Sequence, residues 1–206
     1  MNKKFLTLSA TAIAAAIALA GCSSGSGGGS MPGMDHGSSG ASSTSSPSSS
    51  ATAAAAEHNA ADAMFAQMMI PHHTQAVEMS DVILKKQGVP APVTTLATRI
   101  KAEQGPEIQK MTGWLTSWNE ATTMSGTHSM DGMMGEDDMK KLDAAQGTEA
   151  AKLFLTQMIA HHEGAVAMAK TETTGGKNPD AVQLSKDIVT SQEAEMQEMK
   201  DLLASL

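Results

Sequence analysis

The chain has 206 residues, and 41% of them are hydrophobic, but it contains only three Phe, two Trp and no Tyr. Aromatic side chains therefore cannot supply the bulk of a core. Methionine is abundant instead, with 17 copies. This excess has two explanations: thioethers that pad a core, or soft sulfur ligands for a metal. The formal net charge of −8 disfavours nucleic acid as a partner.

The N-terminus is typical of an export signal. Lys3 and Lys4 precede an uncharged apolar run that ends near residue 20. This arrangement predicts a signal peptide over residues 1–21, which is too short to span a membrane comfortably. The run ends in Leu-Ala-Gly-Cys, which resembles the bacterial lipobox, so Cys22 is predicted to carry a lipid after cleavage. Because Cys22 is the only cysteine, no internal disulfide is expected.

The segment 22–56 is dominated by Ser, Gly, Ala, Thr and Pro and lacks a periodic apolar face. Such a segment buries too little apolar surface to offset the entropy of ordering, so a flexible linker is predicted behind the lipidated cysteine. The remaining residues, 57–206, are enough for one domain. We therefore expect an exported lipoprotein, anchored to the outer face of the cell membrane or in the periplasm.

The domain contains two copies of one pattern. Met-Ile-x-His-His-x-x-Ala-Val-x-Met occupies residues 69–79 and again residues 158–168. Further on, Gln-x-x-Glu-x-x-x-Met occupies residues 104–111 and again residues 192–199. Spacings of three and four residues predict a helix for each of these four segments.

Gly- and Pro-rich breaks at residues 88–92 and 175–179 divide each copy into two helices. Two hairpins that cannot bury their apolar stripes alone pair most simply with each other. The sequence therefore predicts an all-α fold, a four-helix bundle built from two repeated helical hairpins. Pro71 and Pro106 fall inside helical patterns and predict kinks. The connection between the copies, residues 119–147, is predicted to be a long Met- and His-rich loop.

Histidine and methionine recur on the same side of two equivalent helices. Di-iron bundles carry Glu-x-x-His on such helices, whereas here methionine replaces the glutamate. Hard carboxylates suit iron, but imidazole with thioether suits copper, especially Cu(I). The predicted metal ligands in the bundle are Met69, His72, His73, Met79, Glu107, Met111, Met158, His161, His162, Met168, Glu195 and Met199. The alternative is that the histidines and methionines pack the core and that the two glutamates form a buried pair capped by glutamine.

A second group of candidate ligands lies in the predicted central loop: Met124, His128, Met130, Met133 and Met134. These residues stand among Gly, Ser and Asp with no apolar periodicity, so core packing explains them poorly. Closely spaced thioethers on a flexible chain can wrap a soft monovalent ion. Either the bundle or the loop could be the main site.

The doubled Met-Ile-x-His-His-x-x-Ala-Val-x-Met pattern, each copy followed by Gln-x-x-Glu-x-x-x-Met, resembles the domain-of-unknown-function 305 family over residues 62–206. The resemblance implies an exported, ferritin-like four-helix bundle. Some members are implicated in copper binding and copper resistance, which implies a copper ion, Cu(I) or Cu(II), as the ligand. By position it implies the bundle residues already named, together with Gln104 and Gln192.

The leading hypothesis is a non-enzymatic, lipid-anchored copper-binding protein for sequestration, homeostasis or resistance. Its expected partners are the metal ion and, through the lipid, the membrane. The sequence shows no recognisable nucleophile or phosphate-binding motif. The alternatives are a metal-dependent oxidase-type enzyme of the ferritin-like class and an interaction or structural lipoprotein that binds no metal.

Overall fold

A computed structural model of the protein describes residues 57–124 and 130–206. These residues form no strand and five helices: α1 (Ala60–Leu84), α2 (Ala91–Trp118), α3 (Glu136–Ala144), α4 (Gly147–Gly175) and α5 (Pro179–Ser205). The predicted all-α fold is confirmed. None of the described helices is both long enough and apolar enough to cross a membrane. The predicted signal peptide, the predicted lipidation site Cys22, the predicted linker and His128 lie outside the described residues.

Local capping sets the helix boundaries. The Asn59 side chain accepts hydrogen bonds from the backbone N–H groups of Ala61 and Asp62 at 2.9 and 3.1 Å. In return, the Asp62 carboxylate accepts the backbone N–H of Asn59 at 2.6 Å. This capping box satisfies donors that the first turn of α1 leaves free. α5 begins with Asn178 as its cap and Pro179 in its first turn, so the break predicted before it is confirmed.

The helical pattern predicted continuous helices around two prolines but did not predict a helix in the central connection. α1 and α2 run without interruption through Pro71 and Pro106. The predicted central loop contains α3, whose first turn is acidic and whose last turn carries Lys141, as the helix dipole favours. Leu142 is the only buried residue within α3. Its apolar face is therefore too small to give a periodic signal in the sequence.

The two hairpins pack against each other in an antiparallel crossing. α1 packs along α2 and α4 along α5, and the hairpins meet mainly through α1 and α4. One core cluster joins the second half of α1 to the first half of α4 and includes Met79 and Met158. The other joins the first half of α1 to the second half of α4 and includes Met69 and Ala169. The middle turns of α1 and α4 therefore lie between two apolar clusters.

Six methionines are buried among the described residues: Met69, Met79, Met111, Met158, Met196 and Met199. Their flexible thioethers fill space that aromatic rings occupy in other cores. Core packing thus accounts for part of the methionine excess. It does not account for all of it, because the other described methionines remain partly or largely exposed.

A carboxyl pair lies at the end of the bundle where α1 begins and α4 ends. The Asp62 carboxylate accepts the backbone N–H groups of Lys177 at 3.0 Å and Asn178 at 2.9 Å. Glu172 is 1% exposed, and burial raises its pKa to about 8, with the neighbouring Asp62 carboxyl adding to the shift. Burial alone would raise the pKa of Asp62 as well, but Glu172 and the backbone N–H groups lower it. At neutral pH the pair therefore holds one proton, on Glu172.

The protonated Glu172 predicts stability that declines as the pH rises. Because its pKa of about 8 lies above the ordinary 4.5, its stabilising effect is complete below about pH 4.5 and is lost as the pH approaches 8. In this window the Glu172 contribution to the free energy of unfolding should fall by up to about 1.4 kcal/mol per pH unit. Below about pH 6.5 the neutral His72 and His161 contribute with the opposite sign, so the net wild-type decline should appear between about pH 6.5 and 8. Glu172→Gln, which stays neutral, should reduce that slope in denaturant unfolding of the full chain.

Glu163, an exposed residue of the same helix, supplies the control for this experiment. Glu163→Gln should keep the wild-type pH dependence. Identical slopes for the wild type and Glu172→Gln would contradict the assignment of the proton.

Candidate metal centre

Four histidines lie in the middle turns of α1 and α4, and they are called here the histidine cluster: His72, His73, His161 and His162. All four are at most 1% exposed. The imidazole rings of His72 and His161, from different helices, lie 3.8 Å apart between centroids. The ring of His162 lies 6.4 Å from that of His161. The structure thus brings the two predicted His-His pairs together.

A glutamate from the neighbouring helix holds the second histidine of each pair. His73 Nε2 lies 2.8 Å from Glu107 Oε2, and His162 Nε2 lies 2.8 Å from Glu195 Oε2. A carboxylate accepts hydrogen bonds, so the Nε2 hydrogen of each ring is donated to its glutamate, and the neutral form of such a ring has its lone pair on Nδ1. Each of these glutamates therefore binds a histidine. Gln104 does not cap them, because both of its polar side-chain atoms lack a hydrogen-bond partner among the described residues.

Several ring nitrogens of the histidine cluster are left without a hydrogen-bond partner. This holds for Nδ1 of all four histidines, and for Nε2 of His161, within the described chain. The Asp131 carbonyl, 3.3 Å from His72 Nε2, accepts the hydrogen of that ring. A buried polar atom left unpaired costs about 1–3 kcal/mol. A metal cation on the Nδ1 lone pairs would satisfy them, and ligating histidines usually donate their other ring N–H to a carboxylate or carbonyl, as here.

Burial keeps the central pair of histidines neutral. It lowers the pKa of His72 to about 3 and that of His161 to about 2, and the neighbouring histidines of the cluster lower both further. Neutral imidazole is the form that binds metals. Protons therefore do not compete with a cation for these two rings at neutral pH.

Methionines lie on both sides of the histidine cluster. Met69 and Met158, three residues before His72 and His161, are fully buried in opposite core clusters. The other predicted bundle methionines, Met79, Met111, Met168 and Met199, pack in or against the same two clusters. Among the described residues, no group of three or more His, Cys, Asp or Glu side chains is arranged to hold a metal.

Residues 130–134, called here the strap, lie against the histidine cluster. The Asp131 carbonyl accepts the hydrogen bond of His72, and Gly132 adopts a φ of 83°, which favours glycine. Both residues press on α4 at Gly164, where an added Cβ would lie 2.0 Å from the Asp131 oxygen. The strap can approach α4 because Gly164 has no side chain.

Position 75 of the first copy corresponds to position 164 of the second, and the two residues hold the strap differently. Gln75 donates to the Met134 carbonyl at 2.8 Å and accepts that residue's backbone N–H at 2.7 Å. Gly164 instead makes room for the strap. Sequence reasoning missed both, although this difference between two matching copies was an available signal. It also missed Arg99, whose Nε lies 3.5 Å from Glu195 Oε1.

The predicted loop ligands divide into separate groups. Met124, Met130 and Met133 line a cavity beside α1. Met134 packs against the core instead, and His128 lies outside the described residues. The loop methionines therefore do not all share one site.

The repeated hairpins with their buried His-His pairs match a known family. The sequence profile of DUF305, a domain of unknown function, matches residues 62–203. The chain therefore belongs to the DUF305 family. Among curated proteins, none matches this sequence.

Several solved structures are similar to this chain. A DUF305 protein from Streptomyces coelicolor, described as secreted, is 36% identical, with a TM-score of 0.68 over 70% of this chain and 93% of its own. A DUF305 fragment from Deinococcus radiodurans is 28% identical, with a TM-score of 0.66 over 72% of this chain and 98% of its own. CopM in its Cu(I)-bound form is 30% identical, with a TM-score of 0.59 over 70% of this chain and 96% of its own. The Cu(II)-bound form of CopM gives 32% identity and a TM-score of 0.61 over the same shares.

Replacing Gly164 with alanine should separate the strap from α4. The added Cβ would meet the Asp131 oxygen at 2.0 Å. We therefore expect Gly164→Ala to lower the free energy of unfolding by about 1–3 kcal/mol, despite the better helix propensity of alanine. Urea unfolding measures the change.

Gly113 in α2 is the matched control, because nothing lies within 4 Å of its Cβ position. Gly113→Ala should stabilise the protein by about 0.5–1 kcal/mol. If Gly164→Ala were as stable as the wild type, the described contact between strap and α4 would be wrong.

Proposed function

We propose that the protein is an exported, lipid-anchored copper-binding protein that sequesters Cu(I), and Cu(II) through imidazole, in the histidine cluster. It acts in copper homeostasis or resistance by binding the ion and not by catalysis. The observation that carries the proposal is the set of four buried Nδ1 atoms that have no hydrogen-bond partner among residues 57–124 and 130–206.

The donor set suits a soft cation. The imidazoles of His72 and His161 are neutral, and the thioethers of Met69 and Met158 lie one helical turn before them. Imidazole with thioether is a donor combination that favours Cu(I), whereas imidazole alone also suits Cu(II).

A buried cation also requires compensating negative charge. Glu107 and Glu195 supply it through the outer rings of the histidine cluster, each 2.8 Å from a histidine Nε2. The carboxylates thereby orient His73 and His162 and stabilise positive charge at the centre. Their proposed role is to support ligating histidines, not to coordinate the ion themselves.

The relatives support copper as the ion. CopM, about one third identical to this chain, has structures with Cu(I), Cu(II) and Ag bound. Ag(I) is a soft monovalent cation like Cu(I), so a site for both fits imidazole and thioether donors.

Export and anchoring rest on the N-terminal sequence. The Leu-Ala-Gly-Cys motif ending at Cys22 supports lipidation, and the linker over residues 22–56 would tether the domain to that lipid. The description of the Streptomyces coelicolor relative as secreted agrees with export.

Replacing both central histidines should abolish tight copper binding. In the full chain carrying His72→Leu and His161→Leu, three buried ring nitrogens without a partner among the described residues are replaced by apolar groups, and only the 3.3 Å hydrogen bond to the Asp131 carbonyl is lost, so the copper-free fold should persist. We expect the affinity for Cu(I), measured by competition with a chelator, to fall at least about 100-fold. Loss of only a hydrogen-bond partner of a ligating histidine already lowers metal affinity about 10- to 100-fold.

His58→Ala is the control for this titration. The His58 ring stacks on Trp118 at 4.5 Å between centroids and does not belong to the histidine cluster, so this variant should bind Cu(I) like the wild type. The proposed function is wrong if the double variant competes with the chelator as well as the wild type does, or if neither competes.

A further inference from the structure

The described methionines that are not buried fall into two groups. Met134 and Met139 pack against a core cluster. The other six line two cavities: Met64, Met68, Met124, Met130, Met133 and Met168. Met168 also packs against a core cluster, but neither core cluster includes the other five, so core packing does not account for them.

The larger cavity has a volume of about 490 Å³ and brings together methionines from distant parts of the chain. Met68 comes from α1, whereas Met124, Met130 and Met133 come from the connection after α2. Four methionines thus line one cavity. Two or three such groups are enough to hold a soft monovalent ion.

Hydrogen bonds from α1 fix the walls of this cavity. The Gln67 side chain donates to the Ala121 carbonyl at 2.8 Å, and Gln75 is bonded twice to the backbone of Met134. Both segments of the connection are therefore tied to α1 close to the methionines they carry. A smaller cavity of about 240 Å³ shares Met68 and adds Met64 and Met168.

The lining of the larger cavity also includes a formally negative residue, Glu78 of α1, which is exposed. Its charge favours a cation in this cavity over an anion. Gln67 and Gln75 line the cavity too, but their side chains are already hydrogen-bonded to the backbone of the connection.

The strap forms a common wall between the larger cavity and the histidine cluster. Met130 and Met133 line the cavity, while Asp131 between them accepts the hydrogen bond of His72. Met130 and Asp131 are consecutive residues, so their Cα atoms are about 3.8 Å apart. An ion held by Met130 would lie beside the segment that covers His72.

We propose that Met68, Met124, Met130 and Met133 form an outer thioether site that captures Cu(I) before the ion reaches the histidine cluster. This inference rests on the proposed function. It adds a second site on the side of the strap that lines the larger cavity. The sequence pattern pointed to the three loop methionines, and the structure adds Met68 from α1 and separates Met134 from them.

Silver binding to the full chain tests the outer site directly. With methionine labelled at its ε-methyl carbon, Ag(I) should move the NMR resonances of Met68, Met124, Met130 and Met133 and leave those of Met134 and Met139 in place. A variant with all four outer methionines changed to leucine, which conserves volume, should bind one Ag(I) fewer per chain. The matched control, Met134→Leu with Met139→Leu, should bind as many as the wild type.

Two results would overturn the outer site: unmoved methyl resonances of the four methionines at Ag(I) saturation, or wild-type stoichiometry in the fourfold variant. An apolar docking surface would give both results. The wild-type spectra decide the matter even if the fourfold variant does not fold. The two proposals also fail separately, because the His72→Leu and His161→Leu chain should lose the ion of the cluster while keeping the Ag(I)-induced shifts of the four methyl groups.

Discussion

The structure depends on one costly arrangement: four imidazoles are buried where α1 crosses α4, and their Nδ1 atoms have no hydrogen-bond partner in the part of the chain that the structure describes. Burial keeps His72 and His161 neutral, so their mutual repulsion is small and their rings can lie 3.8 Å apart. Apolar clusters that contain buried methionines lie on either side of the crossing, and the four imidazoles between them are at most 1% exposed. An arrangement of this kind costs stability unless a cation occupies it.

The duplicated hairpin explains how equivalent histidine rings of α1 and α4 come to lie against each other. Equivalent positions on α1 and α4 meet because the hairpins cross in antiparallel directions, and equivalent glutamates hold His73 and His162. The connection between the copies breaks this symmetry. It lies on one side of the crossing, where Gly164 replaces the glutamine of the first copy and lets the strap reach His72.

Much of the fold could be predicted from sequence, because helical spacing and Gly/Pro breaks are local signals. The two hairpins are confirmed, while the metal ligands stay a prediction. The partners of Glu107 and Glu195 could not be predicted, since they depend on the rotation of each helix about its axis. The strap, α3 and the cavity that Met68 shares with the loop methionines also escaped prediction, because each depends on tertiary contacts that leave little periodic pattern. The methionine excess accordingly divides by position, with six residues in the core and six around cavities.

The most direct test of this account is long-range ¹H–¹⁵N NMR of the histidine rings in the full chain, before and after addition of Ag(I). The account predicts large shifts of Nδ1 in the histidine cluster, led by His72 and His161, while Nε2 of His73 and His162 keeps its hydrogen. Bound Ag(I) that left all four Nδ1 resonances unchanged would contradict it.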